Sequence, residues 1–109
     1  MLAVIFEVEI AENQSEHYFD TAAILRPLLD TIPGFISVER FQSLNNKNKY
    51  LSLSYWRDEG SIKQWRNTYQ HREAQALGRN GIFADYHLKV VAIIRNYGMH
   101  RREEASTEM

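Results

Sequence analysis

Residues 34–56, GFISVERFQSLNNKNKYLSLSYW, contain the clearest β-hairpin pattern of the chain and decide its fold. Side chains alternate in character along both arms, and the segment from Asn45 to Asn48 between them tolerates left-handed backbone angles. A sheet with one side in water has one apolar and one polar face, and neither arm of the hairpin shows that pattern. We therefore expect both faces of the hairpin to be covered, one of them by a partly polar surface.

Composition narrows the class of protein. The chain has 109 residues, which predicts one domain with its own core. Its 13 basic and 14 acidic residues give a formal charge of -1, so it carries no field that would attract a polyanion or an anionic membrane surface. We expect no nucleic-acid and no membrane partner.

The chain contains no cysteine, which excludes disulfides, thiolate catalysis and cysteine-ligated metal centres, and which fits a reducing compartment. The first residues are apolar only as far as Phe6, before Glu7 and Glu9 intervene, and no basic leader precedes them. This pattern predicts neither a signal peptide nor a membrane span. The expected location is cytoplasmic.

The residues before the hairpin predict a strand followed by a helix. Residues 2–10 alternate with period two, and Asn13 or Ser15 then offers an N-cap for a helix whose apolar residues recur at helical spacing. Pro27 lies inside this pattern, so we expect a kink or a new turn near residues 23–26.

The residues after the hairpin predict a second helical region and a long strand. Asp58 is a candidate N-cap, Gly78 is a candidate stop, and Asn67-Thr68 is a candidate break into two short helices. Residues 82–97 then form the longest β-type run of the chain. A strand of that length exceeds what a sheet of this size needs internally, so part of it is expected to reach a second subunit.

The order strand, helix, strand, strand, helix, strand predicts an α+β ferredoxin-like βαββαβ fold with helices on one face of an antiparallel sheet. The other face needs a partner. Two such sheets facing each other would form a dimeric α+β barrel, so we expect a homodimer. The predicted domain covers residues 1–98, and the charged residues 99–109 are expected to form a flexible tail.

Several segments of the sequence resemble one family. They are AVIFEV at 3–8, PGFISVERFQSL at 33–44, LSLSYWRDE at 51–59, the W-R-N and H-R-E-A-Q pieces within 65–75, and GIFADY at 81–86. In these segments the chain resembles the antibiotic biosynthesis monooxygenase (ABM) domain proteins. The resemblance implies a dimeric α+β barrel. For some members it also implies oxygenation without metal or flavin, in which the deprotonated substrate itself reduces dioxygen.

The heme-degrading branch of that family provides a test within the sequence. Its members use an asparagine on the first strand, a tryptophan on the second helix and a histidine about ten residues later as iron ligand. Trp65 matches the tryptophan, but the strand position falls on or beside Glu7 and the ligand position is Gln75, which is not a usual axial heme ligand. His71 lies one turn earlier and would require a different heme placement.

Two histidines are candidate general bases near neutral pH. His87 is the first choice because it alternates onto the same strand face as Lys89 and Arg95, and His71 is the second choice. For each of them, an exposed or merely packed histidine is the commoner situation.

Five residues are candidates for substrate binding. A helical stripe containing Trp65 and Tyr69 is most simply core packing, and otherwise forms a cavity wall for an aromatic substrate. The strand residues Tyr55 and Trp56 could shape the same pocket or a dimer interface, where such residues are enriched. Glu7 is the fifth candidate, although an ion pair between neighbouring strands is the simpler role for a strand carboxylate.

The sequence supplies no redox cofactor site: its five glycines form neither a dinucleotide fingerprint nor a phosphate loop, and no metal-ligand spacing is legible. The leading hypothesis is a cofactor-independent monooxygenase that oxidises a small aromatic or quinol-type molecule with dioxygen. The alternative is a non-catalytic dimeric protein that binds a small ligand or serves a stress response. Heme degradation is the third interpretation.

Overall fold

Strands and helices alternate along the chain in the predicted order. The computed structural model describes residues 1–101, except for the side chain of Tyr69. The elements within that range are β1 (Leu2–Ile10), α1 (Ser15–Leu29), β2 (Phe35–Gln42), β3 (Lys49–Trp56), α2 (Glu59–Arg66), α3 (Tyr69–Leu77), a π-helical turn (Gly78–Ile82) and β4 (Phe83–Ala92). The sheet order is β2-β3-β1-β4 and every pairing is antiparallel. This confirms the α+β ferredoxin-like fold.

The register of β1 divides the sheet into two faces. Phe6 lies opposite Ser52 of β3 and Leu88 of β4, and the even-numbered residues of β1 share its face. On that face Val8 and Ile10 are almost fully buried, at 1% and 3% exposure. The helices therefore cover the even-numbered face of β1.

Two clusters of buried side chains lie between the sheet and the helices. The first joins one end of the sheet to the end of α1 and to α2, through Leu29, Ile32, Trp56, Ile62 and Trp65. The second joins the other end of the sheet to the beginning of α1, through Val8, Ile10 and Tyr18.

The Asp58 cap of α2 follows the sequence prediction, and the Thr68 cap of α3 lies in the predicted break between the two helices. Asp58 Oδ1 accepts a hydrogen bond from the backbone N–H of Ser61 at 2.9 Å, and this contact lowers the pKa of the Asp58 carboxyl to about 2. Thr68 Oγ1 accepts from the backbone N–H of His71 at 3.2 Å. The predicted break at Asn67-Thr68 is therefore confirmed.

The predicted N-cap of α1 was wrong, and of the two outcomes expected at Pro27 one is excluded. Gln14 occupies the N-cap position without a side-chain cap bond, whereas Asn13 has a left-handed φ of 65° and Ser15 is already helical. The helix continues through Pro27 to Leu29, so no new helix begins near residues 23–26. Pro27 lies in the last turn. The backbone N–H that proline lacks removes one hydrogen bond there, and few helical residues follow it.

The prediction of an overlong last strand was also wrong. β4 ends at Ala92, which pairs with Leu2 at the beginning of β1, and the backbone N–H of Ile93 then donates to Met1 O at 3.2 Å. The strand ends there because its partner strand ends. Gly98 and Arg101 form a bridge, and residues 102–109 of the predicted tail lie outside the described residues.

The odd-numbered residues of β1 lie on a second face that mixes apolar and charged side chains. The carboxylate of Glu7 is 3.8 Å from Lys49 Nζ and 3.5 Å from Lys89 Nζ, which confirms the ion pair expected between neighbouring strands. Apolar members of this face, which we call the open face, are Ala3, Ile5, Phe41, Leu51, Leu53, Tyr55 and Val91. None of the helices within residues 1–101 combines the length and apolar character needed to cross a membrane.

Candidate functional site

A cavity of about 640 Å³ separates the two buried clusters. Its size is within the range of roughly 300–1,000 Å³ that is usual for small-molecule sites. Strand residues of the helix-covered face form its floor, and side chains of α1, α2 and α3 form its walls. Tyr86, Leu88 and Val90 line the cavity while remaining 43%, 46% and 42% exposed, so the cavity opens to solvent along β4.

Two tryptophans form one end of this cavity. Trp56 is 2% exposed, and its Nε1–H donates to Ser54 Oγ at 2.8 Å, which fixes the orientation of the indole. Trp65 is 8% exposed and belongs to the same buried cluster. Both indoles therefore serve the core and the cavity wall together, as rigid aromatic surfaces for an apolar ligand.

His71 is held beside Trp65 by the first turn of α3. The two rings have centroids 5.2 Å apart, and the Thr68 cap accepts the backbone N–H of His71. Nε2 of His71 is buried and has no hydrogen-bond partner among the described residues. Burial, and secondly the positive charge of Arg66, lower the pKa of His71 from 6.5 to about 4. The imidazole is therefore neutral at pH 7.

The structure brings three of the predicted site residues together. Trp56, Trp65 and His71 all line the cavity. Tyr69 begins α3, but its side chain lies outside the described residues.

The other three predicted site residues lie on the open face. Glu7 and His87 occupy directly opposed positions of β1 and β4, and Tyr55 lies opposite Ala3. None of these three side chains lines the cavity between the sheet and the helices. His87 shares the open face with Lys89, as the alternation predicted, but the sheet separates it from His71 and the tryptophans.

Sequence reasoning missed an arginine in the cavity wall. Nε of Arg40 donates to Tyr18 Oη at 3.1 Å, and the guanidinium carbon lies 5.2 Å from the centroid of the Tyr18 ring. The sequence pattern that could have indicated this position is the alternation of β2, which puts Arg40 on the same strand face as apolar Val38. A charged side chain in such a set usually faces a cavity or a partner.

Metal-ligating side chains are not clustered within residues 1–101: no three histidine, aspartate or glutamate residues there lie close enough to hold an ion. Gln75, at the position where heme-degrading relatives were expected to carry their ligand, lines the cavity together with Trp65.

Comparison with known proteins gives this arrangement a family. The family model described as antibiotic biosynthesis monooxygenase matches residues 1–77, which is more than half of the chain. The chain belongs to the antibiotic biosynthesis monooxygenase family. The matched segment of this ABM protein contains both tryptophans, His71 and Arg40.

Two relatives share substantial sequence with this ABM protein. It is 48% identical over 90 residues to a Pyricularia oryzae protein named jasmonate monooxygenase ABM, an alignment that covers 83% of this chain and 42% of the relative. The chain thus spans less than half the length of that relative. It is 30% identical over 93 residues to the uncharacterized Bacillus subtilis protein YqjZ, covering 85% of this chain and 79% of the relative.

A solved structure confirms the fold of the ABM protein. A variant of SnoaB, described as a cofactor-independent oxygenase from Streptomyces nogalater, superposes with a TM-score of 0.76 over 87% of this chain and 94% of that chain. The two sequences are 10% identical, so the likeness is one of fold.

Proposed function

We propose that this ABM protein is a monooxygenase that oxidises a small aromatic or quinol-type molecule with dioxygen, without metal or flavin, in the cavity between the sheet and the helices. The observation that carries the proposal is the cavity itself: about 640 Å³, bounded by Trp56 and Trp65, with a neutral imidazole in its wall whose Nε2 has no hydrogen-bond partner among residues 1–101. An aromatic ring is the shape that two fixed indoles accommodate well.

The reaction balances without a further reductant when the substrate is a ring ketone with a reactive CH₂ group, the keto form of a quinol. Loss of one proton of the CH₂ group to solvent, which reaches the cavity along β4, gives an anion that transfers one electron to dioxygen, and the two radicals join in a carbon–peroxide bond. The O–O bond then breaks: one oxygen atom becomes a new carbonyl oxygen, and the other leaves as water with the two hydrogens of the CH₂ group. The substrate supplies every electron.

The protein would contribute binding, exclusion of water and stabilisation of the substrate anion. His71, with a pKa of about 4, is a weak base. Full proton transfer to it from a hydroxyl of pKa about 10 would be unfavourable by roughly 8 kcal/mol. We therefore assign His71 the role of accepting a hydrogen bond from the acidic group. The charge of Arg66, which disfavours protonation of His71, favours a substrate anion at the same place.

His71 is a better candidate than His87 because only His71 shares the cavity with the tryptophans. A role for His87 would require a second site on the open face of the sheet. We propose that this face instead pairs with a second copy of the chain. Its mixture of apolar residues with the Glu7, Lys49 and Lys89 charges supports a homodimer interface, in which paired charges specify the register.

The Pyricularia relative extends the set of substrates worth testing. Its name assigns it jasmonate as substrate, and it shares 48% identity with this chain over 90 residues. Small carboxylic acids of the jasmonate kind therefore belong beside phenols, naphthols and quinols in a substrate panel.

The test is oxygen uptake by the purified protein with each member of that panel, together with quenching of tryptophan fluorescence, since both tryptophans of the chain line the cavity. We expect uptake above the uncatalysed rate with at least one substrate. We expect the His71→Gln variant to lower kcat by about tenfold, the effect of losing one hydrogen bond to the substrate. His87→Gln is the matched control and should leave kcat unchanged.

Two results would contradict the proposal. Quenching without oxygen uptake by any member of the panel would instead support the non-catalytic ligand-binding alternative. Loss of activity in His87→Gln, with activity retained in His71→Gln, would place the chemistry on the open face.

A further inference from the structure

The charge of the cavity wall differs from that of the whole chain. The formal net charge of the chain is -1, yet the residues that line the cavity include four arginines and a single acidic residue, Glu39. One of the arginines, Arg26, is neutralised by Asp30 at 2.9 Å. The remaining three, Arg40, Arg66 and Arg79, have no carboxylate within ion-pair distance among the described residues. The cavity wall thus presents uncompensated positive charge.

Arg40 is the member of this group whose position is fixed by its neighbours. Its Nε donates to Tyr18 Oη, and its guanidinium carbon lies 5.2 Å from the ring centroid of Tyr18 and 6.0 Å from that of Phe19. These contacts engage Nε and place two aromatic rings near the guanidinium. The two terminal nitrogens have no hydrogen-bond partner among the described residues, so they form a preorganised fork of the kind that binds a carboxylate.

The register of the sheet gives the length of ligand that such a fork would hold. Arg40 lies opposite Ser52 of β3, and Trp56 is four residues further along the same strand and on the same face. At about 3.4 Å per residue this distance is about 14 Å. The floor between the two positions carries Ser54 and apolar neighbours. An elongated molecule could therefore place one end at Arg40 and the other beside the tryptophans.

We propose that the cavity binds an amphipathic carboxylic acid, with its carboxylate at the terminal nitrogens of Arg40 and its apolar body directed along β3 toward Trp56 and Trp65. This inference rests on the proposed function for the chemistry beside Trp65 and His71, and it assigns the opposite end of the substrate. Arg40 is then a substrate-binding residue that sets which class of molecule enters.

The test compares two probes that differ only in charge, 6-phenylhexanoate and 6-phenylhexanamide, by tryptophan quenching in the full-length protein. We expect the acid to bind at least about tenfold more tightly than the amide, the factor typical of a charge-assisted hydrogen bond. Arg40→Gln should bring the two affinities to within about threefold of each other, while Arg40→Lys should retain part of the preference. Added salt should weaken the preference because the guanidinium is reached by solvent.

Arg57→Gln is the matched control. Arg57 is paired with Asp58 at 3.0 Å and does not line the cavity, so the substitution removes the same charge elsewhere and should leave the preference intact. Equal affinities for acid and amide in the unmodified protein would overturn the inference, as would failure of both probes to bind or an undiminished preference in a folded Arg40→Gln variant. This test can fail independently of the proposed function. A preference for the acid without oxygen uptake would contradict the proposed oxygenation alone. Oxygen uptake without a preference for the acid would contradict carboxylate binding at Arg40 alone.

Discussion

The half-buried imidazole of His71 should make the stability of the protein fall in mild acid. The unfolded chain binds a proton at this residue with a pKa of 6.5, whereas the folded protein does so at about 4. Between these values the unfolded state binds more protons, so its population rises as the pH falls. The contribution of His71 to stability is fully present above pH 6.5 and is lost progressively as the pH falls to about 4.

The magnitude of this loss follows from the shift. At about 1.36 kcal/mol per pKa unit, a displacement from 6.5 to about 4 corresponds to at most about 3.4 kcal/mol. Because the ring is only partly buried, solvent screening reduces the expected value to about 2 kcal/mol. For a domain whose total stability is on the order of 5–15 kcal/mol, such a loss is large enough to measure.

The assay is urea unfolding followed by far-ultraviolet circular dichroism, at pH values from about 4 to about 7.5 and at one protein concentration, since a dimer would unfold in a concentration-dependent way. The informative quantity is the difference in unfolding free energy between the unmodified protein and His71→Gln, which cancels the titration of other groups. We expect this difference to change by about 2 kcal/mol across the range, to the disadvantage of the unmodified protein in acid. A difference that does not vary with pH would refute the reasoning, as would an NMR titration giving His71 a pKa of 6.5 or higher.

Three further perturbations test the packing and the assembly. Trp65→Ala should lower the free energy of unfolding by about 3 kcal/mol and Trp65→Phe by less, measured by urea unfolding; a loss below about 1 kcal/mol for alanine would contradict the core role of the indole. Gly34→Ala should lower the free energy of unfolding by about 1 to 3 kcal/mol, because φ is +93° and the added Cβ would overlap Ser61. In Gly81→Ala, at φ +129°, the added Cβ meets no atom within 4 Å. Equal changes in Tm for the two variants would contradict the overlap. Leu53→Glu, at the centre of the open face, should convert a homodimer into a monomer in light scattering, and an unmodified protein that is already a folded monomer would show the homodimer prediction to be wrong.

Much of the fold could be predicted because local patterns agree with it. The hairpin arms alternate with period two, and the caps Asp58 and Thr68 lie where side-chain oxygens can reach free backbone donors. The prediction failed where the outcome depends on distant residues. The end of β4 is set by the start of its partner β1, which no pattern within residues 82–97 can show. The cytoplasmic location and the flexible tail over 99–109 stay predictions.

The candidate site was predictable only in part, for a related reason. Alternation shows that Tyr55 and Trp56 must lie on opposite faces of β3, but it does not show which face the helices cover when both faces mix apolar and polar residues. Trp65 was recoverable because the helical stripe points to the core, and His71 because few histidines lie within the predicted elements. The role of Arg40 depends on the ring of Tyr18, which is 22 positions away in the sequence.

Turnover under isotopically heavy dioxygen, followed by mass spectrometry of the product, shows directly whether the cavity oxygenates its substrate. We expect one heavy oxygen atom in the organic product and the other in water, and we expect the Trp65→Phe and His71→Gln variants to form far less labelled product than His87→Gln does. Product without heavy oxygen, or incorporation that His87→Gln abolishes and His71→Gln leaves intact, would contradict the claim that this cavity is the site of oxygenation.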